Sequence, residues 1–177
     1  AKAICVAPWG GLDDGGAFVH GDNIVVRPAF NLNPDAVLFT SAAAGGKDDA
    51  AVDSDLTTVG TGTGEWKLTL NSRTFNVTSN TTVSIEQGKT ADISYSDAQI
   101  GNNEYVSAMI VDEHDAILYY GRVAQGSESG TASVTIPADL QPGSYTLKMF
   151  NEQYNGDKKT DYASAFEDIP LIVTADT

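Results

Sequence analysis

The second half of the chain is a succession of short alternating segments separated by turn residues, and this pattern most constrains the fold. The runs recur at intervals of about 8–12 residues with no convincing helix between them, which is typical of a β-sandwich. The predicted strands are 66–70, 75–78, 82–86, 90–95, 105–112, 116–123, 131–136, 144–150 and 169–174. The pattern predicts an all-β protein in which residues 65–177 form an Ig-like β-sandwich of about eight strands.

The first part of the chain predicts a second, smaller β-rich module. Short apolar runs at 3–7, 17–20, 24–30 and 36–40 are separated by Gly, Asp and Asn-Pro sequences that favour turns. Residues 1–43 therefore form a thin β-rich module, which either leans on a neighbour or is the end of a larger fold. Arg27 is a charged residue in one of these apolar strands, so we expect an internal salt bridge there, a structural role.

Residues 44–64 differ in composition from both flanks. They combine small residues, repeated Gly and the acids Asp48, Asp49, Asp53 and Asp55. Such a segment buries too little apolar surface to offset its ordering entropy, so we predict a linker or long loop.

Charge and cysteine content exclude several classes of function. The formal net charge is −14, with 24 acidic and 10 basic residues, which disfavours a nucleic-acid partner because phosphates need a basic face. The lone Cys5 rules out an internal disulfide bond, and its apolar surroundings favour a small buried side chain. No apolar run reaches about 18 residues, so no membrane insertion is expected.

No pattern in the sequence indicates catalysis or a metal. Asp112, Glu113, His114 and Asp115 form the densest polar cluster, but they lie at a predicted hairpin tip where water would surround them. The Gly-rich stretch 10–16 lacks the Gly-Lys-Ser/Thr sequence of a phosphate loop. We therefore predict no catalytic residue, no metal ion and no cofactor, and the chain is not expected to be an enzyme.

The segment 150–166 is longer than a hairpin turn requires. Two interpretations remain open. As a ligand loop it would offer Tyr154, Asn155, Asp157 and Tyr162 to a sugar or peptide, because tyrosine supplies both a flat face and a hydroxyl. As a structural corner, which we favour, it would pack Phe150 and Phe166 on the core.

An intramolecular isopeptide bond is a further possibility that the sequence does not support. Lys67, Lys89 and Lys148 lie in predicted strands and could in principle provide the amine. No motif around them indicates such a bond.

Two segments carry a family resemblance. The strings Val26-Arg-Pro-Ala-Phe-Asn-Leu-Asn33 and Val37-Leu-Phe-Thr-Ser-Ala-Ala-Ala-Gly-Gly-Lys47 resemble the end of an uncharacterised module found in surface proteins of gut Firmicutes. Residues 65–177 resemble the Ig-like module that follows it. The resemblance implies that residues 1–43 are the last strands of a C-type-lectin-like domain, and that the chain is a piece of a longer protein. It brings no catalytic residues.

The expected function is therefore that of a non-enzymatic bacterial surface protein, secreted or attached to a Gram-positive cell wall. Adhesion, ligand display or a structural stalk would be its role, with an unknown host or glycan ligand as partner and a monomeric module as the folded unit. The alternative is a carbohydrate-binding module that serves a surface glycosidase.

Overall fold

A computed structural model describes residues 2–6, 12–18, 33–47, 51–60, 64–78, 81–155 and 160–176. The chain divides into two compact units, Ala1–Leu32 and Asn33–Thr177. In the first unit, β1 (Lys2–Val6) and β2 (Leu12–Phe18) form an antiparallel pair in which Val6 lies opposite Leu12. Arg27 lies outside the described residues, so its predicted salt bridge stays a prediction.

The second unit is an all-β sandwich, which confirms the predicted fold class. It begins with a single 3-10 turn at Pro34–Ala36 that is capped by the Asn33 side chain. The strands that follow are β3 (Val37–Ala42), β4 (Thr57–Thr58), β5 (Trp66–Arg73), β6 (Asn76–Val77), β7 (Val83–Glu86), β8 (Thr90–Ser96), β9 (Glu104–Val111), β10 (Ile117–Ala124), β11 (Gly130–Thr135), β12 (Gly143–Gln153), β13 (Asp161–Ser164) and β14 (Glu167–Thr174).

The larger sheet is organised around β12. Its order is β3-β5-β13-β12-β9-β10-β4. One edge of β12 pairs with β9, while the other edge is shared by β14 over Gly143–Met149 and by β13 at Glu152 and Gln153. β13 runs parallel to β5, and β14 runs parallel to β7. A second sheet has the order β11-β8-β6.

Side-chain alternation gives the larger sheet two different apolar faces. On one face, Leu147 and Met149 of β12 join Ala108 and Ile110 of β9 in the main core, which also contains Val134 of the second sheet. The opposite face carries a smaller cluster of Met109, Tyr120, Phe150 and Ala163, with Phe39 and Phe166 packed against it. Because successive side chains of a strand point to opposite faces, Glu152 shares this second face with Phe150.

The predicted hairpin is confirmed, and the domain boundary differs from the prediction. β9 and β10 pair antiparallel around Asp112–Asp115, as the alternating runs indicate. The predicted first module ended at residue 43, whereas the division falls between Leu32 and Asn33, and β3 pairs with β5.

Part of the predicted linker 44–64 also belongs to the sandwich. Leu56 is buried in the main core, and β4 pairs with β10. The backbone N–H of Asp53 donates to the carbonyl oxygen of Arg122 at 3.1 Å, and that of Val59 donates to Leu118 at 3.3 Å. The acidic composition did not indicate this role, because backbone hydrogen bonds need no particular side chain. One buried leucine, Leu56, is enough to fix the position of the segment.

Gly121 provides a test of this packing. A Cβ atom on Gly121 would lie 2.5 Å from the carbonyl oxygen of Asp55 and 2.8 Å from Cδ2 of Leu56. Gly121→Ala should therefore push the 53–56 segment away from β10 and lower the free energy of unfolding by about 1–3 kcal/mol, as overpacking does. Urea denaturation measures the change.

Gly143→Ala is the matched control, since Gly143 is also a strand glycine. The nearest atoms to its added Cβ would be those of Tyr145 at 3.4–3.6 Å, an ordinary contact. Equal losses in the free energy of unfolding of the two variants would show that the 53–56 segment does not pack tightly against β10.

Candidate functional site

The most unusual feature of the sandwich is a network of charged side chains buried on its second face. Lys47 Nζ lies 2.8 Å from Glu152 Oε2 and 2.5 Å from Asp161 Oδ2, and Lys67 Nζ lies 2.9 Å from Asp161 Oδ1. The exposed fractions of these side chains are 2% for Lys47, 3% for Lys67 and 0% for both carboxylates. We call these four residues the ion cluster.

Four separate parts of the chain build the ion cluster. Glu152 lies near the end of β12, Asp161 begins β13, Lys67 is on β5, and Lys47 ends the turn that follows β3. The register explains part of the assembly. Asp161 lies opposite Thr69 on the parallel strand β5, and Thr69 shares a face with Lys67 because strand side chains alternate.

Glu152 is held by three donors. Its Oε2 accepts a hydrogen bond from Lys47, and its Oε1 accepts from Ser107 Oγ at 2.6 Å and from the Tyr120 hydroxyl. Burial raises the pKa of Glu152, but the charge of Lys47 and the three hydrogen bonds lower it by more, so its pKa lies below the ordinary value. The group is therefore a carboxylate when Lys47 is an ammonium.

The pKa values of two of these three donors, Lys47 and Tyr120, shift upward. Burial lowers the pKa of Lys47, but Glu152 and Asp161 raise it by more, and the net shift is upward. Burial and the adjacent Glu152 charge raise the pKa of Tyr120 well above its usual range. Tyr120 thus keeps its proton and acts as a donor.

The two oxygens of Asp161 have different surroundings. Oδ1 accepts a hydrogen bond from the backbone N–H of Asn155 at 2.6 Å and lies beside Lys67. Oδ2 accepts no hydrogen bond of ordinary geometry from the described residues, although Lys47 Nζ is only 2.5 Å away. Lys67 also donates to the carbonyl oxygen of Asn155.

Aromatic rings surround the cations of this face. Tyr154 lies with its ring centroid 4.3 Å from Lys67 Nζ, 5.2 Å from Lys47 Nζ and 4.1 Å from the guanidinium carbon of Arg122. Arg122 also lies 4.6 Å from the ring of Tyr105. Cation–π contacts of this kind are stronger when water is excluded, so the rings help to hold the buried positive charge.

The residues predicted for the 150–166 segment separate into two groups. Tyr154 and Asn155 are half-buried and belong to the surroundings of the ion cluster, while Asp157 lies outside the described residues. Tyr162 is 36% exposed, with Arg73 over its ring at 5.5 Å. Phe150 and Phe166 pack edge to face with centroids 5.3 Å apart.

No pattern in the sequence indicated that the four members of the ion cluster form a group. Lys47 fell in the predicted linker, and Asp161 fell within the segment 150–166 without a predicted role. One signal was present: Glu152 lies two residues after Phe150 in the same strand, on the face that period-two alternation gives to Phe150, and a charged group on a buried face requires a partner. The partner lies on other strands, and only the tertiary fold identifies it.

The acidic turn between β9 and β10 is exposed and is stabilised by hydrogen bonds within the turn. Asp112 Oδ1 accepts hydrogen bonds from the backbone N–H groups of His114 and Ala116, both at 2.9 Å. The bonds from Ala116 and His114 lower the pKa of Asp112. No group of three or more His, Cys, Asp or Glu residues in the described ranges is placed to hold a metal ion.

This turn gives a pH prediction. Because the folded pKa of Asp112 is depressed, its stabilisation of the turn is present above the unfolded value of about 3.9 and is lost as the pH falls through the folded value. The amide proton shifts of His114 and Ala116 should therefore titrate with an apparent pKa below about 3.9 in NMR spectra. Asp112→Ala should abolish this titration; a wild-type midpoint at or above the unfolded value would contradict it.

Comparisons with protein families, curated proteins and solved structures find no match for this chain. Within the described ranges, no helix is long and apolar enough to cross a membrane. The geometry of the ion cluster and of the exposed strand faces is therefore the basis for assigning a function.

Proposed function

We propose that this chain is part of a non-enzymatic bacterial surface protein in which the sandwich serves as a structural stalk or in adhesion or ligand display. The observation that carries the proposal is the ion cluster. Its charged groups are 0–3% exposed, so a dissolved substrate cannot reach them as they stand. Their geometry instead ties the start of the sandwich unit to its last strands.

The connection between the ends of the unit supports a mechanical role. Lys47 follows the first strand of the sandwich unit, and Asp161 begins the strand before β14, with which the described sandwich ends. A pull on the two ends of the sandwich unit acts on β3 and β14. Lys47 and Asp161 both lie between these two strands along the chain, and their contact joins the segment after β3 to the segment before β14. A stalk benefits from such a tie because it must keep its fold under load.

Charge and cysteine content agree with an extracellular site. A net charge of −14 favours solubility and disfavours association with other acidic surfaces. With a single Cys the chain makes no internal disulfide bond, which suits a Gram-positive exterior and a cytoplasm equally well. We infer a secreted or wall-attached, monomeric module with a host or glycan partner.

Single-molecule force spectroscopy on the full chain, held at both termini, tests the stalk. We expect the wild-type sandwich to resist a higher force than the Asp161→Ala variant, because that variant removes the carboxylate shared by Lys47 and Lys67. Equal unfolding forces for the two proteins would show that the ion cluster does not help the sandwich to resist force.

A carbohydrate-binding module is the second candidate, and an exposed face of the sheet favours it. Trp66, Leu68 and Leu70 share one face of β5, and Tyr162 lies opposite Leu70 on β13. Trp66 is 61% exposed and Tyr162 is 36% exposed. Two exposed aromatic rings on a flat strand face could stack on sugar rings.

A glycan array with the full chain separates the structural stalk from the carbohydrate-binding module. The stalk predicts no specific binding. The carbohydrate-binding module predicts binding that a Trp66→Ala, Tyr162→Ala double variant loses and that Ile100→Ala retains. Ile100 is the matched control because it is also 61% exposed.

A further inference from the structure

Asp161 is the point at which the ion cluster brings reactive groups together. Each of its oxygens faces a different lysine, Lys47 at Oδ2 and Lys67 at Oδ1. The backbone N–H of Asn155 donates to Oδ1, and Glu152 contacts the same Nζ atom of Lys47 that faces Oδ2. An amine, a carboxyl group and a second carboxylate that touches the amine are thus held together without surrounding water.

We propose that Lys47 and Asp161 join in an intramolecular isopeptide bond that the folded protein forms by itself, with Glu152 as the proton carrier. The bond would link the Nζ atom of Lys47 to the Cγ atom of Asp161 as an amide. This modification is independent of the proposed stalk function, since the bond can form whether or not the protein bears load.

The reaction balances without an oxidant or another reactant. The Lys47 ammonium passes a proton to Glu152, and the resulting amine attacks Cγ of Asp161 to form a tetrahedral intermediate. Glu152 then delivers that proton to Oδ2 of Asp161, a second proton moves from the nitrogen to the same oxygen, and the Cγ–Oδ2 bond breaks so that Oδ2 departs as water. The nitrogen keeps one hydrogen, Oδ1 becomes the amide oxygen, and Glu152 ends as it began.

The surroundings of Asp161 suit the charge that develops during this reaction. Negative charge grows on the oxygen that stays, which is Oδ1. The Asn155 N–H at 2.6 Å and Lys67 Nζ at 2.9 Å are already directed at this atom, as the donors of an oxyanion hole are. Oδ2, which leaves, is the oxygen that accepts no hydrogen bond of ordinary geometry within the described part of the chain.

Lys47 is the nucleophile that the geometry selects over Lys67. Lys47 contacts Glu152 at 2.8 Å and so has a base to accept its proton. Lys67 donates instead to the carbonyl oxygen of Asn155, which is far too weak a base for this role. Lys67 is therefore assigned to the stabilisation of charge on Oδ1.

Burial favours the product. The fold also raises the rate. Amide formation in water must first bring an amine and a carboxyl group together, whereas here the fold has already done so, and such positioning raises reaction rates strongly. The reaction also removes two charges from a site where both are desolvated. The desolvation of a buried ion pair can cost more than the attraction of its charges returns, and a neutral amide does not carry that cost.

Intact-mass spectrometry of the purified, folded full chain tests the bond. We expect a mass lower than the sequence mass by one water, about 18 Da. Digestion followed by tandem mass spectrometry should give a branched peptide that joins Lys47 to Asp161. A folded wild-type protein with its full sequence mass would overturn the proposal.

Three variants assign the roles, with circular dichroism as the check that each is folded. Lys47→Arg should show no loss of water, because a guanidinium does not acylate under these conditions. Lys148→Arg is the matched control, because Lys148 lies on β12 outside the ion cluster and pairs with Asp168 at 3.1 Å, and this variant should still lose water. Glu152→Gln keeps the size of the side chain but cannot accept the proton, so its mass should stay at the sequence value.

Other results would overturn parts of the assignment. A loss of water in Lys47→Arg, or a branched peptide at Lys67, would contradict Lys47 as the nucleophile. A full loss of water in Glu152→Gln would contradict Glu152 as the proton carrier. A loss of water without any branched peptide would place the dehydration elsewhere and contradict the bond itself.

Discussion

Glu152→Ala is expected to lower the free energy of unfolding by about 3–5 kcal/mol, the loss typical when one partner of a buried ion pair is removed. Three donors depend on this carboxylate: Nζ of Lys47 and the hydroxyls of Ser107 and Tyr120. Alanine leaves all three without their acceptor in a site that water does not reach. Urea denaturation of the full chain measures the change.

Glu152→Gln separates the noncovalent part of this loss from the proposed bond. Neither variant can form the bond through Glu152, but glutamine keeps an oxygen that Ser107 and Tyr120 can use. We therefore expect the alanine variant to be less stable than the glutamine variant by about 1–3 kcal/mol, the cost of buried donors without acceptors. Equal stabilities would show that these hydrogen bonds contribute nothing.

Asp168→Ala is the matched surface control. Asp168 pairs with Lys148 of the same strand β12 at 3.1 Å, but 57% of its side chain is exposed. An exposed pair contributes at most about 1 kcal/mol. A loss as large as that of Glu152→Ala would show that burial does not determine the difference.

Phe150→Ala is the second large effect. Phe150 is fully buried, and its ring packs edge to face with Phe39 at 5.9 Å and with Phe166 at 5.3 Å. Removing a buried phenylalanine leaves a cavity, and the expected loss in the free energy of unfolding is about 3–5 kcal/mol. Chemical denaturation gives the value, and a constant slope against urea shows that the same surface is exposed on unfolding.

Trp66→Ala is the control for aromatic residues. Trp66 is 61% exposed, so its removal should change stability by only about 0.5 kcal/mol in either direction. A loss below about 1 kcal/mol for Phe150→Ala would mean that Phe39 and Phe166 close over the gap. It would also mean that the second face of the sheet is less rigid than its packing indicates.

The local pattern of the sequence was sufficient for most strands after residue 65. Alternation predicted β9 and β10 with the turn at Asp112–Asp115, and the run before Phe150 predicted β12. These predictions succeed because period-two alternation records which side chains face a core. β13 was missed: it is four residues long, and its position is fixed by pairing with β5 and β12 rather than by its own composition.

The role of residues 51–60, within the predicted linker 44–64, was beyond the reach of composition. Asp-rich and Gly-rich sequence predicts a linker, yet Leu56 reaches the core and Gly121 accepts the 53–56 backbone against β10. Such contacts join residues far apart in sequence through backbone groups. A backbone N–H is the same in every residue except proline, so the amino-acid sequence carries little record of its partner.

The sequence by itself determined the all-β class, the order of most strands, the exposed acidic turn and the lack of an internal disulfide bond, because each depends on local pattern or on composition. The tertiary structure alone decided that Lys47, Lys67, Glu152 and Asp161 meet on one buried face. A charge is acceptable in a protein interior only beside its partner, and these partners come from four different segments. Their positions follow from sheet register, which no single segment encodes.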